Sequence, residues 1–230
     1  MTKFRLYYDK DKETTWLNQM AKDGYAMTGF FAGFYTFEKC EPGEYLYQMD
    51  FGSKFFSIDE NYREFMTEQG VEILQSWGYW ILLRKPAAAG DFQLYTDVDS
   101  SIEHYTKIRN MFKVVTIVEL LCFILECLAA GAGNTWAIFF AVLLGILVLV
   151  LMKATLHTNQ IINELKERKG EYTATPDGKV SPVLLCGLML NVCALAINQS
   201  VSAPIGIAVQ ILAIVFMLVG LYQSRHVFKN

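Results

Sequence analysis

Two carboxylates lie within an apolar stretch of this sequence, where an ionisable side chain is costly to bury. Glu119 and Glu126 are seven residues apart, so a helix would place both on the same face. Residues 111–130 are long and apolar enough for a helix that crosses a bilayer. A carboxyl group at that depth has to be protonated, hydrated or bound to a cation. The stretch is therefore a candidate proton or cation site.

Three amide side chains in later apolar stretches are candidates to complete such a site. Asn191, Asn198 and Gln210 belong to stripes of small and polar residues at helical spacing. Small residues let membrane helices approach closely, and polar residues form hydrogen bonds between them. Together with Glu119 and Glu126, these amides are predicted to form an intramembrane polar cluster. The alternative is that they only hold the helices together.

Aromatic residues are dense in the first part of the chain, before residue 90. One interpretation is that they fill the core of a small two-layer domain, which needs large side chains. The other is that they form an open face for a hydrophobic ligand or a protein partner. The candidate residues for such a face are Tyr35, Phe37, Tyr45, Tyr47, Trp77 and Trp80.

The nucleophilic and metal-ligating residues show no pattern typical of catalysis. No serine or cysteine has a histidine at motif spacing, the glycines match no phosphate-binding loop, and no Asp, Glu and His residues have ligand spacing. The five cysteines occur singly, which fits neither a zinc site nor a disulfide framework. A net charge of -3 argues against direct nucleic-acid binding, for which a basic face is expected. The sequence therefore predicts no enzyme activity, no cofactor and no metal site.

The elements before residue 90 follow the order strand, helix, strand, strand, helix, strand. Residues 25–40 are predicted as one aromatic strand with a bend or bulge at a glycine, and residues 36–51 as a hairpin. Residues 71–84 are predicted as the last strand, with a break around Trp77-Gly78. This order predicts an α+β fold in which residues 1–90 form a cytoplasmic ferredoxin-like (βαββαβ) domain.

The remaining sequence is typical of a membrane domain. Residues 91–110 are predicted as a linker and stalk helix, and residues 111–230 as a four-helix transmembrane domain with a cytoplasmic helical extension and loop at 153–181. The predicted spans are residues 111–130, 136–151, 182–198 and 204–222. The two short loops between spans carry no Lys or Arg, whereas the other ends do, which places both termini in the cytoplasm. The N-terminus has no apolar stretch typical of a signal peptide.

Four segments of the first half resemble a known protein family. They read WLNQMAKDGY, FYTFEKCEPGEYLYQMDF, WGYWILLRKP and LYTDVDSSIEHY. In these segments the chain is similar to the bacterial membrane proteins classed as domain of unknown function 2812. Members of that family tend to be encoded beside PadR-type transcriptional regulators, which implies regulated expression or sensing rather than a reaction. With the predicted spans, the resemblance implies a multi-pass protein of a bacterial cell membrane.

These patterns lead to two main hypotheses of function. In the first, the protein is a membrane-anchored sensor or regulatory adaptor, whose helices respond to a small apolar or cationic compound or to membrane stress. In the second, it is a small transporter or a resistance or immunity protein that uses Glu119 and Glu126 as cation or proton sites. An enzyme that acts at the aromatic face is the third alternative. The expected partners are the lipid bilayer and a protein bound through the cytoplasmic domain, and a homo-oligomer is compatible with the sequence.

Overall fold

The computed structural model describes residues 1–7, 9–131, 134–171, 181–197 and 203–223. The chain divides into two compact units, Met1–Ser101 and Ile102–Asn230. We call these the N-terminal unit and the helical unit, and describe each by itself.

Six strands and two α-helices form most of the N-terminal unit. The strands are β1 (Thr2–Phe4), β2 (Tyr25–Phe31), β3 (Phe34–Lys39), β4 (Tyr45–Phe51), β5 (Glu72–Trp77) and β6 (Trp80–Pro86), and the helices are α1 (Lys10–Lys22) and α2 (Glu60–Glu68). A single 3-10 turn, Ala87–Ala89, follows β6. The strands form two antiparallel three-stranded sheets, with the orders β1-β3-β2 and β4-β6-β5.

The two sheets contradict the predicted ferredoxin-like domain, which requires one four-stranded sheet. The difference arises at two tight turns. Residues 25–40, predicted as one strand, fold back at Ala32 and Gly33, which have φ angles of 48° and 86°. Residues 71–84 likewise fold back at Gly78, with φ of 62°. At the first turn two successive residues have positive φ, which reverses a chain in register with the strand twist, and at the second turn a single glycine does. Each predicted strand therefore becomes a hairpin.

The sheet β4-β6-β5 is covered on both faces. Because side chains alternate along a strand, Leu82 of β6 packs on one side, with α1 and the other sheet, in a core that includes Leu17 and Tyr35. Its neighbours Ile81 and Leu83 pack on the opposite side against α2 and the segment after β6. The N-terminal unit therefore has two separate hydrophobic cores, with one sheet between them.

Two side-chain amides replace backbone pairing at strand edges. Asn18 of α1 donates to the Tyr47 carbonyl of β4 (3.0 Å) and accepts from its N–H (2.9 Å). Gln75 of β5 does the same for Phe30 of β2, donating to the carbonyl (2.6 Å) and accepting from the N–H (2.9 Å). Both amides satisfy backbone groups that no neighbouring strand reaches, as buried backbone requires.

The helical unit is built from four helices, of which the first begins in the N-terminal unit. These helices are α3 (Val98–Gly131), α4 (Thr135–Arg168), α5 (Pro182–Ile197) and α6 (Ala203–Gln223). Asp97 caps α3, because its carboxylate accepts from the Ser100 N–H (2.7 Å). The helices share one apolar core, in which Phe123 of α3 lies against Gly145 of α4.

Helices α5 and α6 approach each other through two glycines. A Cβ atom on Gly187 would lie 2.6 Å from the Met217 backbone nitrogen, and one on Gly220 would lie 2.2 Å from that of Leu184. No side chain fits at those distances, so the two helices pack backbone against backbone. Small residues at helix contacts allow this close approach.

The structure contradicts the predicted four-helix transmembrane bundle. In the described part of the chain, one helix, Trp136–Arg168 within α4, is long and apolar enough to cross a membrane. Elsewhere in the described residues, the apolar stretches Pro182–Asn191 and Ala208–Gln223 are shorter than this helix. The apolar part of α3 carries Glu119 and Glu126, which oppose its burial in lipid. Helix length and composition therefore leave a single candidate span.

Candidate functional site

A cavity of about 310 Å³ lies inside the N-terminal unit. Its walls come from the segment between β1 and α1, from the first turns of α1, and from strands of both sheets. The lining is predominantly apolar, with Met27, Met49 and Leu82 among its side chains. The volume is at the lower end of the roughly 300–1,000 Å³ typical of small-molecule sites.

Aromatic rings form much of the cavity wall. Phe30 contacts Tyr35 with ring centroids 4.7 Å apart, and its edge faces Trp77 at 6.3 Å and 89°. Trp80 and Tyr7 also line the cavity. Trp77 is 48% exposed although it lines the cavity, so its ring lies where the cavity meets solvent.

Glu13 of α1 is a carboxylate in this aromatic wall. The Tyr35 hydroxyl donates a short hydrogen bond to its Oε1. Burial raises the pKa of Glu13 above its ordinary value, and the hydrogen bond from Tyr35 opposes that shift. Burial and the nearby Glu13 raise the pKa of Tyr35, so its hydroxyl remains a donor. Among the described residues, no Lys or Arg forms an ion pair with Glu13.

Three other charged side chains line the cavity, and each has a local partner. Asp9 caps α1, accepting from the backbone N–H groups of Asp11 (3.1 Å) and Lys12 (3.3 Å), and pairs with the Lys12 ammonium (3.2 Å). Lys10 pairs with Asp11 at 3.2 Å. The Arg5 guanidinium donates to the Tyr7 hydroxyl (2.9 Å) and lies 5.0 Å from the Trp16 ring.

The strand β4 joins the cavity to the chain segment that leads into α3. Met49 lines the cavity, while its neighbours Gln48 and Asp50 point to the other face of the sheet. There Gln48 donates to the Phe92 carbonyl (2.7 Å), and Asp50 accepts from the hydroxyls of Tyr95 (2.7 Å) and Tyr62 (2.5 Å). Burial, followed by the Asp50 charge, raises the pKa of Tyr62.

The structure places the six predicted aromatic residues in three different settings. Tyr35, Trp77 and Trp80 line the cavity. Phe37 and Tyr47 are 3% and 1% exposed and belong to the core, where the Tyr47 hydroxyl accepts from the Met27 N–H (2.9 Å). Tyr45 carries the Arg84 guanidinium 4.4 Å above its ring. The six residues thus do not share one open face.

Four of the five residues predicted as an intramembrane polar cluster lie on three helices of the helical unit. Glu119 and Glu126 are half-buried on α3. Gln210 of α6 donates to the Cys127 carbonyl of α3 (3.0 Å), one residue after Glu126. Asn191 of α5 is 0% exposed, and in the part of the chain that the structure describes neither its amide nitrogen nor its oxygen has a hydrogen-bond partner. Asn198 lies outside the described residues.

Glu13 and Gln75 are two polar site residues that the sequence analysis did not identify. Glu13 precedes the buried Leu17 by four positions and Met20 by seven, so it occupies the apolar stripe of α1. A charged residue on that stripe is a signal that could have been found. Gln75 had no such signal, because its role depends on the position of the other sheet. Nowhere in the described residues do three His, Cys, Asp or Glu side chains converge as metal ligands.

Comparison with known proteins gives one match. The model of a family described as "Protein of unknown function (DUF2812)" matches residues 9–117. No curated protein and no solved structure matches the chain. The matched residues include most of the cavity wall and extend into α3.

Proposed function

Residues 9–117 belong to the DUF2812 family, and for this chain we propose a membrane-anchored sensor without catalytic activity. The N-terminal unit binds a small molecule in its cavity, and the helical unit carries the anchor. The observation that carries this proposal is the aromatic cavity, because an apolar pocket with a few polar groups is the usual form of a small-molecule site.

The connections of β4 support a sensing role over simple storage of a ligand. A ligand beside Met49 acts on the strand whose other face holds Tyr95 through Asp50. Tyr95 lies three residues before the start of α3 at Val98. One strand therefore contacts both the ligand and the segment that determines where α3 begins. A packed strand with partners on both faces transmits displacement more readily than a flexible loop.

The anchor in this proposal is α4. Its candidate span starts at Trp136, and its other end carries Lys153, Lys166 and Arg168. Basic residues flanking a span remain on the cytoplasmic side. We therefore place the carboxyl end of α4 in the cytoplasm.

The test uses the full chain in lipid nanodiscs, labelled with 5-fluorotryptophan. The chain has four tryptophans, of which Trp77 and Trp80 line the cavity and Trp136 begins the candidate span. Water-soluble aromatic compounds should shift the ¹⁹F signals of Trp77 and Trp80 saturably and leave Trp136 unchanged. Equal shifts of Trp136 would indicate partition into lipid, and unchanged signals from the two cavity residues would refute the ligand site.

A variant pair locates the binding. Trp77→Ala removes one wall of the cavity and should weaken binding at least about fivefold, as loss of a large aromatic contact does. Phe65→Ala removes a ring of similar exposure from α2, outside the cavity, and should leave binding unchanged. Equal effects of both substitutions would count against the cavity.

A second variant pair tests transmission. Tyr95→Phe removes the hydroxyl that donates to Asp50, whereas Tyr25→Phe removes a hydroxyl that forms no hydrogen bond with the described residues. Ligand should change deuterium exchange at the start of α3 in the wild type and in Tyr25→Phe, and change it less in Tyr95→Phe at the same occupancy. An undiminished change in Tyr95→Phe would refute this route.

A further inference from the structure

The ligand class follows from the charges in the cavity wall, if the cavity is a ligand site as proposed above. We infer that the cavity binds an organic cation, with its ammonium group at the Glu13 carboxylate and its apolar part among Phe30, Trp77 and Trp80.

Glu13 is the acceptor that the fold leaves incompletely used. Tyr35 donates to Oε1, and among the described residues no group donates to Oε2. A carboxylate accepts at both oxygens, so Glu13 has capacity for a further donor. Its surroundings are apolar and aromatic, which strengthens the attraction to a cation that displaces water.

The positive charges of the cavity wall are already engaged within the protein. Lys10 pairs with Asp11, and Arg5 is held by Tyr7 and the Trp16 ring. Asp9, the other carboxylate of the cavity wall, is already bound by the N–H groups of the helix N-terminus and by Lys12. An anionic ligand would have to draw Lys10 from Asp11 or compete with Tyr7 and the Trp16 ring for Arg5, and it would meet the like charge of Glu13 in the same cavity. A cationic ligand finds Glu13 without breaking any ion pair.

The aromatic rings add a second attraction for the same charge. Cations bind the faces of Trp, Tyr and Phe, and cavities lined by such rings recognise substituted ammonium groups. The wall offers Phe30 and Tyr35 in contact at 4.7 Å, beside Trp77. The Tyr35 ring connects both features, because it belongs to this wall and its hydroxyl binds Glu13.

Three probes of similar size separate charge from shape in the full chain in nanodiscs. They are benzyltrimethylammonium, the neutral N,N-dimethylbenzamide, and the anion phenylacetate. Binding is followed by the ¹⁹F signals of Trp77 and Trp80, with Trp136 as the control for lipid partition. The cation should bind at least about tenfold more tightly than either other probe, since its charge meets a desolvated carboxylate and aromatic faces.

Two variants connect that preference to one residue. Glu13→Gln removes the charge but keeps an oxygen that accepts from Tyr35, and it should reduce the preference for the cation about tenfold without changing the affinity for the neutral probe. Asp23→Asn removes the same charge from the exposed end of α1, outside the cavity, and should change neither.

The outcomes distinguish this inference from the proposed function. If the three probes bind equally, or if phenylacetate binds best, the cavity is a ligand site and the inference is wrong. If Glu13→Gln keeps the full cation preference, Glu13 is not the anion and the inference is also wrong. If no probe shifts Trp77 or Trp80, both the inference and the proposed function fail. The wild-type probe series decides the ligand class even if Glu13→Gln does not fold.

Discussion

The two units of this protein differ in how far polar side chains connect their elements. In the N-terminal unit, Asn18 and Gln75 each form two hydrogen bonds with a strand edge, and Asp50 accepts from two tyrosines. In the helical unit, Asn191 is fully buried and its amide has no hydrogen-bond partner among the described residues. The first unit uses polar groups to join its elements, whereas the second joins α5 to α6 through small residues such as Gly220 and uses the Gln210 amide to join α6 to α3.

This difference shows which interaction determines how the elements of each unit are arranged. Two sheets that do not pair with each other need side chains to satisfy their edges, so the N-terminal unit depends on hydrogen-bond geometry. Helices satisfy their own backbones, so the helical unit depends on how closely their surfaces approach. Substitutions that alter either property should therefore have effects of different size and sign in the two units.

The largest effect is expected at the contact between α5 and α6. Gly220→Ala places a Cβ 2.2 Å from the Leu184 nitrogen, so the helices have to separate, and we expect a loss of about 3 kcal/mol in the free energy of unfolding. Thermal unfolding in one detergent, followed by circular dichroism, measures it. Gly29→Ala in β2 is the control, because nothing lies within 4 Å of the added Cβ. Equal stability of Gly220→Ala and the wild type would contradict the close helix contact.

The next largest effect is expected at the edge of β4. Asn18→Leu leaves the N–H and carbonyl of Tyr47 without their partners, and we expect a loss of about 2 kcal/mol. Deuterium exchange at Tyr47 should accelerate in parallel. Asn61→Leu on the exposed side of α2 is the matched control and should change stability by less than about 0.5 kcal/mol. If both variants were equally stable, side-chain pairing would not hold this edge.

An Asn→Leu substitution in the helical unit should change stability in the opposite direction. Asn191→Leu replaces an unpartnered amide by an apolar group of similar shape, and we expect a gain of about 1 kcal/mol. Gln210→Leu on α6 is the counterpart, because it removes an existing hydrogen bond to α3 and should lower stability by about 0.6 kcal/mol. A loss of stability in Asn191→Leu would show that its amide is satisfied in the folded protein, and would weaken the contrast between the units.

The smallest expected effect is the pH dependence of stability that Glu13 causes. Burial raises the pKa of Glu13, so its contribution to stability is greatest below the ordinary value of 4.5 and is lost as the pH rises through the raised pKa. The charged groups around it are Arg5, Asp9 and Lys10. Glu13→Gln should therefore be slightly more stable than the wild type at pH 7 and lose the difference near pH 4. Thermal unfolding at several pH values measures this, and a constant difference would argue against a buried carboxylate.

Local signals made the helices of the N-terminal unit predictable, and the sheets were not. The helix α1 has a capping Asp9 and ends before Gly24, both of which are visible in the sequence. The turn at Ala32 has no such signal, because alanine seldom adopts positive φ and only Gly33 beside it marks the reversal. Tertiary packing imposes that turn, and with it the division into two sheets.

The helical unit was mispredicted for a different reason. Apolar composition identified the helices, but in the described residues one helix, Trp136–Arg168, is both long and apolar enough to span a bilayer. In the candidate site, Tyr35, Trp77 and Trp80 were identifiable from composition. Glu13 was identifiable in principle from its position in an apolar stripe. Gln75 was not, since only the folded protein brings it to β2.

The amide of Gln75 has a kinetic consequence for the cavity. Gln75 is part of the cavity wall, and its hydrogen bonds to Phe30 connect β5 to β2, where no backbone ladder joins the two sheets. A side chain leaves such a position by changing rotamer, a motion that takes picoseconds to nanoseconds where it is exposed, whereas loop movements extend to microseconds. The join between β2 and β5 at the cavity wall therefore depends on one rotamer, and deuterium exchange at Phe30 should respond to substitution of Gln75 alone.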